Sequence, residues 1–202
     1  MISASTKVQP EFGVRRRRTL PSGAASFAVA LGAALLAMAP RPAGAVEAAY
    51  SETHGRNCHV HQLGGLTETR CKGPAGYSAI FSDCGNIVTL FIGRPGEEAN
   101  FGGLAWPARG KLYGGAIEWR LAGGRPYAAI LRIFAADRVD GAVVDGRIVE
   151  RLLIAKVTAA GACEIATIDA RRAKANEEAR AVADARAADY VCPNEAARPL
   201  SR

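Results

Sequence analysis

CHVHQLGGLTETRC, residues 58–71, places two cysteines symmetrically about the pair Gly64-Gly65. With these glycines as a two-residue turn, Cys58 and Cys71 lie directly opposite each other in a non-hydrogen-bonded pair. Such pairs have the short Cα separation that a disulfide requires. The turn and the cysteine spacing therefore agree on one register, a β-hairpin closed by a Cys58–Cys71 disulfide.

The same register places His59 and His61 on the face opposite the cysteines, beside Glu68 and Arg70. One interpretation is a copper or zinc site in which His59 and His61 are joined by His54 or Glu68 as a third ligand. The other is a polar, solvated hairpin face with no cofactor. Arg70 lies opposite His59 in this register, and its charge would oppose a bound cation.

A second hairpin is predicted in AIEWRLAGGRPYAAILRIF, residues 116–134. A three-residue loop, 122–124, keeps the apolar side chains of both strands on one face and sets Trp119 opposite Tyr127. The apolar face then holds Ile117, Trp119, Leu121, Tyr127, Ala129, Leu131 and Ile133. The other face holds Glu118, Arg120 and Arg132, an alternation of charge that is typical of a solvated surface.

Short β-rich runs separated by Gly, Asn, Asp and Pro extend to about residue 169. The predicted strands are 58–62, 67–71, 77–82, 86–92, 115–121, 125–134, 147–157 and 162–168. Two Gly-, Pro- or Asp-rich segments, 93–112 and 137–146, are predicted to be long loops.

The segment after Ile168 is rich in alanine and straight-chain residues and has no Gly or Pro before Pro193. This composition predicts a helix over residues 170–190, with Asp169 as its N-cap. Its apolar face is thin, formed by Ala175, Ala179, Val182, Ala183 and Tyr190. A disulfide between Cys163, on the preceding strand, and Cys192, just past the helix, would tie the helix down.

Residues 1–45 have the pattern of an export signal. A basic cluster, Arg15 to Arg18, precedes an apolar run from about Gly23 to Ala39, and the small residues 43–45 form a cleavage site. The general secretory and twin-arginine routes fit this segment equally well. We expect a periplasmic or secreted protein with no transmembrane anchor after cleavage, whose mature part, 46–202, is a single domain.

The net charge of +7 belongs mainly to the export signal. The mature chain has 20 Lys and Arg against 18 Asp and Glu, because residues 1–45 hold six of the basic residues and one of the acidic residues. Charges of both signs alternate without blocks. This composition gives no indication of nucleic-acid binding.

Five cysteines lie in the mature chain, and the two predicted disulfides leave Cys84 over. Cys84 lies in the turn sequence SDCGN, as a free thiol or as the link of a disulfide-bonded dimer. A nucleophilic role, as in a hydrolase, needs a histidine base. All three histidines lie far from it in sequence, between residues 54 and 61.

Three aromatic residues, Phe101, Trp106 and Tyr113, lie among the glycines of the segment EEANFGGLAWPARGKLYGG. They are either anchors for a partner or ligand, or plugs that close one end of the β-structure. The sequence alone leaves both interpretations open.

The run IEWRLAGGRPYAAILRIF, the segment CKGPAGYSAIFSD and the Cys-strand-helix-Cys ending resemble a group of small exported bacterial proteins of unknown function. The resemblance covers about residues 58–192, and the segment Trp-Arg-Leu, Gly-Arg-Pro, Ile-Leu-Arg is its most specific part. It implies an exported single domain and no known activity. Cys84 is an addition to that pattern.

The expected fold is α+β, an antiparallel, twisted or barrel-like sheet of about eight strands with one C-terminal helix and two disulfides. The expected function is non-enzymatic binding of an unknown protein or envelope ligand, as in an inhibitor or an envelope-stress factor. The alternatives are copper or zinc binding through His59 and His61, and a Cys84-dependent hydrolase.

Overall fold

The computed structural model describes residues 46–97, 103–107, 110–139 and 142–193. In these ranges the chain forms ten strands and one α-helix, α1, Ala175–Arg186. The predicted export signal, 1–45, lies outside the described residues. The strands are β1 Glu47–Glu52, β2 Cys58–Leu63, β3 Leu66–Lys72, β4 Ser78–Asp83, β5 Ile87–Gly93, β6 Leu104–Pro107, β7 Tyr113–Ala122, β8 Arg125–Val139, β9 Ala142–Thr158 and β10 Gly161–Asp169.

The strands form two antiparallel five-stranded sheets. Sheet A has the order β1-β7-β8-β9-β10, and sheet B has the order β2-β3-β4-β5-β6. The prediction of an antiparallel α+β fold is confirmed. The prediction of a single twisted or barrel-like sheet of about eight strands is wrong, because the ten strands of the described residues divide between two sheets, neither of which closes into a barrel.

The register predicted for the first hairpin is confirmed in sheet B. Cys58 pairs with Cys71, His59 with Arg70 and His61 with Glu68, and the Cys58–Cys71 disulfide is formed. The Gly64-Gly65 turn and the two cysteines lie within one short segment, so local geometry was sufficient to predict this register.

The turn predicted for the second hairpin is wrong. Ala122 pairs with Arg125, so the turn is the two-residue Gly123-Gly124, and both glycines have the positive φ of a tight hairpin turn. A register shift at Tyr127 then places Trp119 opposite Ala129. The bulge returns the remaining apolar residues of β8 to the predicted face, but it turns Tyr127 towards the helix.

Two strands were not predicted, and two predicted loops are shorter than expected. β1 pairs with β7 along its whole length although its sequence, EAAYSE, lacks a continuous apolar face. β6 lies inside the predicted loop 93–112 and pairs with β5. β8 and β9 continue into the predicted loop 137–146, because pairing between the two strands extends the hairpin.

Side chains of the two sheets form the main core. Phe81, Val88 and Leu90 of sheet B pack with Trp119 and Leu131 of sheet A. The opposite face of sheet A forms a second, smaller core with α1. The molecule therefore has three layers: sheet B, sheet A and the helix. The second core contains Ala128, Ile130, Leu152, Ile154, Ile165, Ile168, Ala175, Ala179, Ala183 and Ala187.

The helix is shorter than predicted. Its first residue is Ala175, after Lys174 in the left-handed conformation. Asp169 is not its N-cap, because its side chain accepts hydrogen bonds from the backbone N–H and the guanidinium of Arg171 in the turn after β10. The predicted alanine face is confirmed, and the Cys163–Cys192 disulfide ties the segment after the helix to β10.

Ion pairs, one of them on the buried Arg120, also hold α1 against sheet A. The guanidinium of Arg120, whose residue is only 9% exposed, donates two hydrogen bonds to the Asp184 carboxylate, at 2.8 and 2.7 Å. Arg180 donates to both oxygens of Glu118, at 2.7 and 3.0 Å. The expectation of a solvated face is wrong here, because the helix covers the charged side chains and supplies their partners.

Candidate functional site

A cleft opens between the two sheets where sheet A extends beyond sheet B. β8 and β9 have 15 and 17 residues, whereas β6, the edge strand that faces them, has four. Among the described residues, part of the inner face of sheet A therefore has no strand above it. The space is about 370 Å³, and it is lined by Leu104, Ala105, Trp106, Pro107, Ile133, Ala135, Ala136, Arg151, Leu153, Glu164 and Thr167.

A β-bulge in β10 supplies two of the polar groups of the cleft. Glu164 and Thr167 are three residues apart, so a regular strand would place them on opposite faces. The register shifts between Glu164 and Ala166, with Glu164 opposite Ala155 and Thr167 opposite Leu153. Both partners belong to the core between the sheets. The bulge therefore directs Glu164 and Thr167 towards the cleft.

The Glu164 carboxylate lies beside apolar walls. Among the residues that the structure describes, none forms a hydrogen bond or an ion pair with it. Its surroundings remove part of its hydration, and this desolvation raises the pKa of Glu164 above its ordinary value of 4.5. A carboxylate with a raised pKa in a cavity is a typical feature of functional sites.

Arg151, the cation of the cleft wall, has an acidic neighbour of its own. Asp169 lies opposite Arg151 in the β9–β10 register. Hydrogen bonds from Arg171 and, to a smaller extent, the charge of Arg151 hold the pKa of Asp169 well below its usual range. The charge of Arg151 is therefore shared with Asp169.

Trp106 forms the wall of the cleft on the side of β6. Its ring is buried, and the indole N–H donates to the backbone carbonyl of Leu112 at 3.2 Å. The chain reaches β6 by passing close over β5, because a Cβ on Gly103 would lie 1.9 Å from the Thr89 methyl group and 2.9 Å from the Phe91 ring. Gly103 therefore positions the strand that carries Trp106.

The site thus combines apolar walls with a carboxylate, a guanidinium and a hydroxyl. Ligand sites in proteins are commonly concave, mostly apolar and provided with a few polar groups that orient the ligand, in volumes of about 300–1,000 Å³. The cleft matches that description in both size and chemistry.

The predicted metal ligands do not assemble into a site. Within the described ranges, no group of three or more His, Cys, Asp or Glu side chains has the geometry to hold a metal ion. His59 and His61 share a face of β2 as predicted, but His54 lies against Gly115 of sheet A. Glu68 is 3.9 Å from the Arg70 guanidinium.

His59 lines a second cavity, of about 350 Å³, on the outer face of sheet B. Arg70, Lys72 and Tyr77 line the same cavity, and the guanidinium of Arg94 lies 5.8 Å from the Tyr77 ring centre. The cations around His59 oppose the binding of a metal ion there.

Cys84 is an exposed free thiol in the turn between β4 and β5, and its sulfur lies 3.5 Å from the Ile87 carbonyl oxygen. His61 lies two strands away from β4, in the cross-strand row of Ser82, Glu68 and His61. Two strand spacings are about 10 Å. This arrangement leaves Cys84 without the neighbouring imidazole that a thiol nucleophile needs.

Two of the three aromatic residues proposed as anchors or plugs are packed inside the molecule. Trp106 belongs to the core, and Tyr113 stacks on Phe81 with ring centres 3.9 Å apart. Burial raises the pKa of Tyr113. Phe101 lies outside the described residues. Neither described ring projects as an exposed anchor, although Trp106 also lines the cleft.

Comparison with known proteins returns no matching family model, curated protein or solved structure. The resemblance to small exported bacterial proteins stays a prediction. In the part of the chain that the structure describes, no helix has the length and apolar character needed to cross a bilayer.

Glu164 was not identified as a site residue from the sequence. The predicted strand 162–168, ACEIATI, was treated as regular, which groups Glu164 with Ala162, Ala166 and Ile168. A carboxylate alternating with apolar residues on one face of a buried strand is unfavourable unless it has a partner. That conflict was the available signal of a bulge or a site.

Proposed function

We propose that this protein is an exported, non-enzymatic binding protein that holds a small, largely apolar ligand in the cleft between its two sheets. The cleft itself is the observation that carries this proposal. Its walls are Leu104, Trp106, Ile133 and Leu153, so a ligand that enters it removes its own apolar surface from water. The polar groups lie at one side and orient the ligand.

Export is supported by the signal-like pattern of residues 1–45 and by the two disulfides. Disulfides form and persist in oxidising compartments such as the bacterial periplasm. A binding protein in that compartment meets small envelope ligands directly.

The test is titration of the mature protein with N-phenyl-1-naphthylamine, an uncharged probe whose fluorescence increases in apolar surroundings. We expect saturable binding of one probe per chain. Ala135→Leu places a larger side chain on the floor of the cleft and should weaken binding at least about tenfold, because the added methyl groups occupy the volume that the probe needs. Saturable binding that Ala135→Leu leaves unchanged, or the absence of binding, would contradict the proposal.

A second variant and a control separate loss of binding from loss of fold. Thr167→Phe fills the mouth of the cleft from β10, where residue 167 is exposed and a large side chain causes little strain. Ala48→Leu makes the same substitution as Ala135→Leu at an exposed position of β1. Binding should fall in Thr167→Phe and persist in Ala48→Leu, with unchanged circular dichroism in both.

A further inference from the structure

We infer that the natural ligand of the cleft is an amphiphilic cation, a small apolar body that bears a protonated amine, and that Glu164 binds the amine. This inference rests on the proposed function, since it names the class of ligand for the same site. It depends on how charge is distributed around the cleft.

Glu164 is the unmatched charge of the cleft. Its carboxylate has no hydrogen-bond donor and no cation as partner among the described residues, although it lines the cleft from β10. A partly desolvated carboxylate gains more from a cationic donor than a solvated one, because charge-assisted hydrogen bonds are stronger where water is excluded. The preferred occupant is a group that supplies both charge and N–H donors.

Arg151 does not reverse this preference. It is the other charged residue that lines the cleft, and its charge already acts on Asp169, its partner in the β9–β10 register. An anionic ligand would need to compete with Asp169 for Arg151 and would also meet repulsion from Glu164. Among the described residues, no cation pairs with Glu164, so none competes there with an ammonium group.

The charged and the apolar parts of the cleft lie at different depths, so they contact different ends of the ligand. Glu164 is an exposed residue on an edge strand, whereas Trp106 and Leu153 are buried. The apolar body therefore lies against Trp106 and Leu153, and the amine remains at the rim, where it keeps part of its hydration. An amphiphile with its charge at one end matches this arrangement.

The test compares hexylamine, hexan-1-ol and hexanoate by titration calorimetry at pH 8. At this pH the amine of hexylamine is protonated, and the carboxylates of hexanoate and Glu164 are ionised. The three probes share one alkyl body and differ in the charge of the head group. We expect hexylamine to bind at least about tenfold more tightly than hexan-1-ol, the ratio given by a single charge-assisted hydrogen bond. Hexanoate should bind more weakly than both.

Glu164→Gln is the decisive variant, because it keeps the shape of the side chain and removes its charge. In Glu164→Gln the preference for hexylamine over hexan-1-ol should disappear while the affinity for hexan-1-ol is kept. Glu177→Gln, on the exposed surface of α1, is the matched control and should retain the preference.

The outcomes separate this inference from the proposed function. Equal binding of hexylamine and hexan-1-ol, or tighter binding of hexanoate, overturns the inference and leaves the cleft as an apolar site. A preference for hexylamine that survives in Glu164→Gln also overturns it. If no probe binds, the proposed function fails together with the inference.

Discussion

The two faces of sheet A treat carboxylates in opposite ways. Beneath α1, Asp184 accepts two hydrogen bonds from Arg120 and one from the Tyr127 hydroxyl, at 2.5 Å. Arg120 holds the pKa of Asp184 below its ordinary value. On the cleft side, desolvation raises the pKa of Glu164, which has no such donors among the described residues. The first face uses charge to hold the fold together, and the second leaves a charge available.

The two faces differ in how completely their carboxylates are paired. Every buried side-chain nitrogen and oxygen of the described residues has a hydrogen-bond partner. Burial and the hydrogen bond to Asp184 also raise the pKa of Tyr127 to about 12, which keeps that hydroxyl a donor. Glu164 is exposed, so this rule does not apply to it; the bulge in β10 places it at the rim of a cavity, where no described residue pairs with its carboxylate.

The largest expected loss of stability comes from removing the disulfide that holds α1 against sheet A. Replacing Cys163 and Cys192 with serine should lower the free energy of unfolding by about 3–4 kcal/mol, because the disulfide closes a loop with a sequence separation of 29. The Cys58→Ser, Cys71→Ser pair, with a separation of 13, should cost somewhat less. Urea unfolding measures both values. A smaller loss for the first pair than for the second would contradict this account of how α1 is held.

The next effect tests the buried ion pair directly. Arg120→Met should cost about 3 kcal/mol, because it leaves the carboxylates of Asp184 and Glu118 partly buried without that cation. Arg172→Met is the control, since Arg172 and its partner Glu178 are exposed and such pairs contribute at most about 1 kcal/mol. If both variants lose the same free energy of unfolding in urea, burial does not make the Arg120 ion pairs stronger than the exposed Arg172–Glu178 pair.

On the cleft side, Gly103→Ala should destabilise the protein by about 1–3 kcal/mol, because the new methyl group overlaps Thr89 and displaces β6. Since β6 carries Trp106, the affinity for N-phenyl-1-naphthylamine should fall as well. Gly65→Ala, at a turn position where an added Cβ meets nothing within 4 Å, should leave both quantities nearly unchanged. If the Gly103→Ala protein binds the probe with full affinity, the position of β6 does not determine binding, and the prediction is contradicted.

The smallest expected effect is a gain in stability, from removing the charge of Glu164. Because the pKa of Glu164 is higher in the folded than in the unfolded protein, its ionisation favours unfolding, and stability is lost as pH rises through the ordinary value of 4.5 to the raised value. Glu164→Gln should therefore stabilise the protein at pH 7, but because water screens this exposed carboxylate the gain should be no more than about 0.5 kcal/mol, and it should vanish below pH 4. A loss of stability at pH 7 would assign Glu164 a structural role. Thermal unfolding at the two pH values gives the answer.

Local patterns in the sequence predicted the parts of the fold that depend on local geometry. The turn and cysteine spacing of residues 58–71 gave a correct register, and the alanine pattern gave the buried face of α1. The pairing of β1 with β7 was not predictable in this way, because the partners Ala49 and Trp119 are 70 residues apart in sequence. The prediction that Glu118 and Arg120 face solvent was wrong for the same reason. Their partners, Arg180 and Asp184, come from the helix, which is distant in sequence.

The cleft depended on two features that sequence patterns do not reveal. One is the difference in length between β6 and its facing strands, which arose from pairing that extended β8 and β9 into a segment rich in Asp and Gly. The other is the bulge after Glu164. Packing of the whole sheet decides where a bulge lies, so a period-two pattern cannot locate it.

A map of backbone amide chemical shifts during titration of the mature protein with hexylamine shows where on the molecule the ligand binds. We expect changes confined to the cleft strands, at residues 104–106, 133–136, 151–153 and 164–167, with the amides of α1 unaffected. Changes scattered over the surface, or concentrated near His59 and Tyr77 in the second cavity, would contradict this expectation.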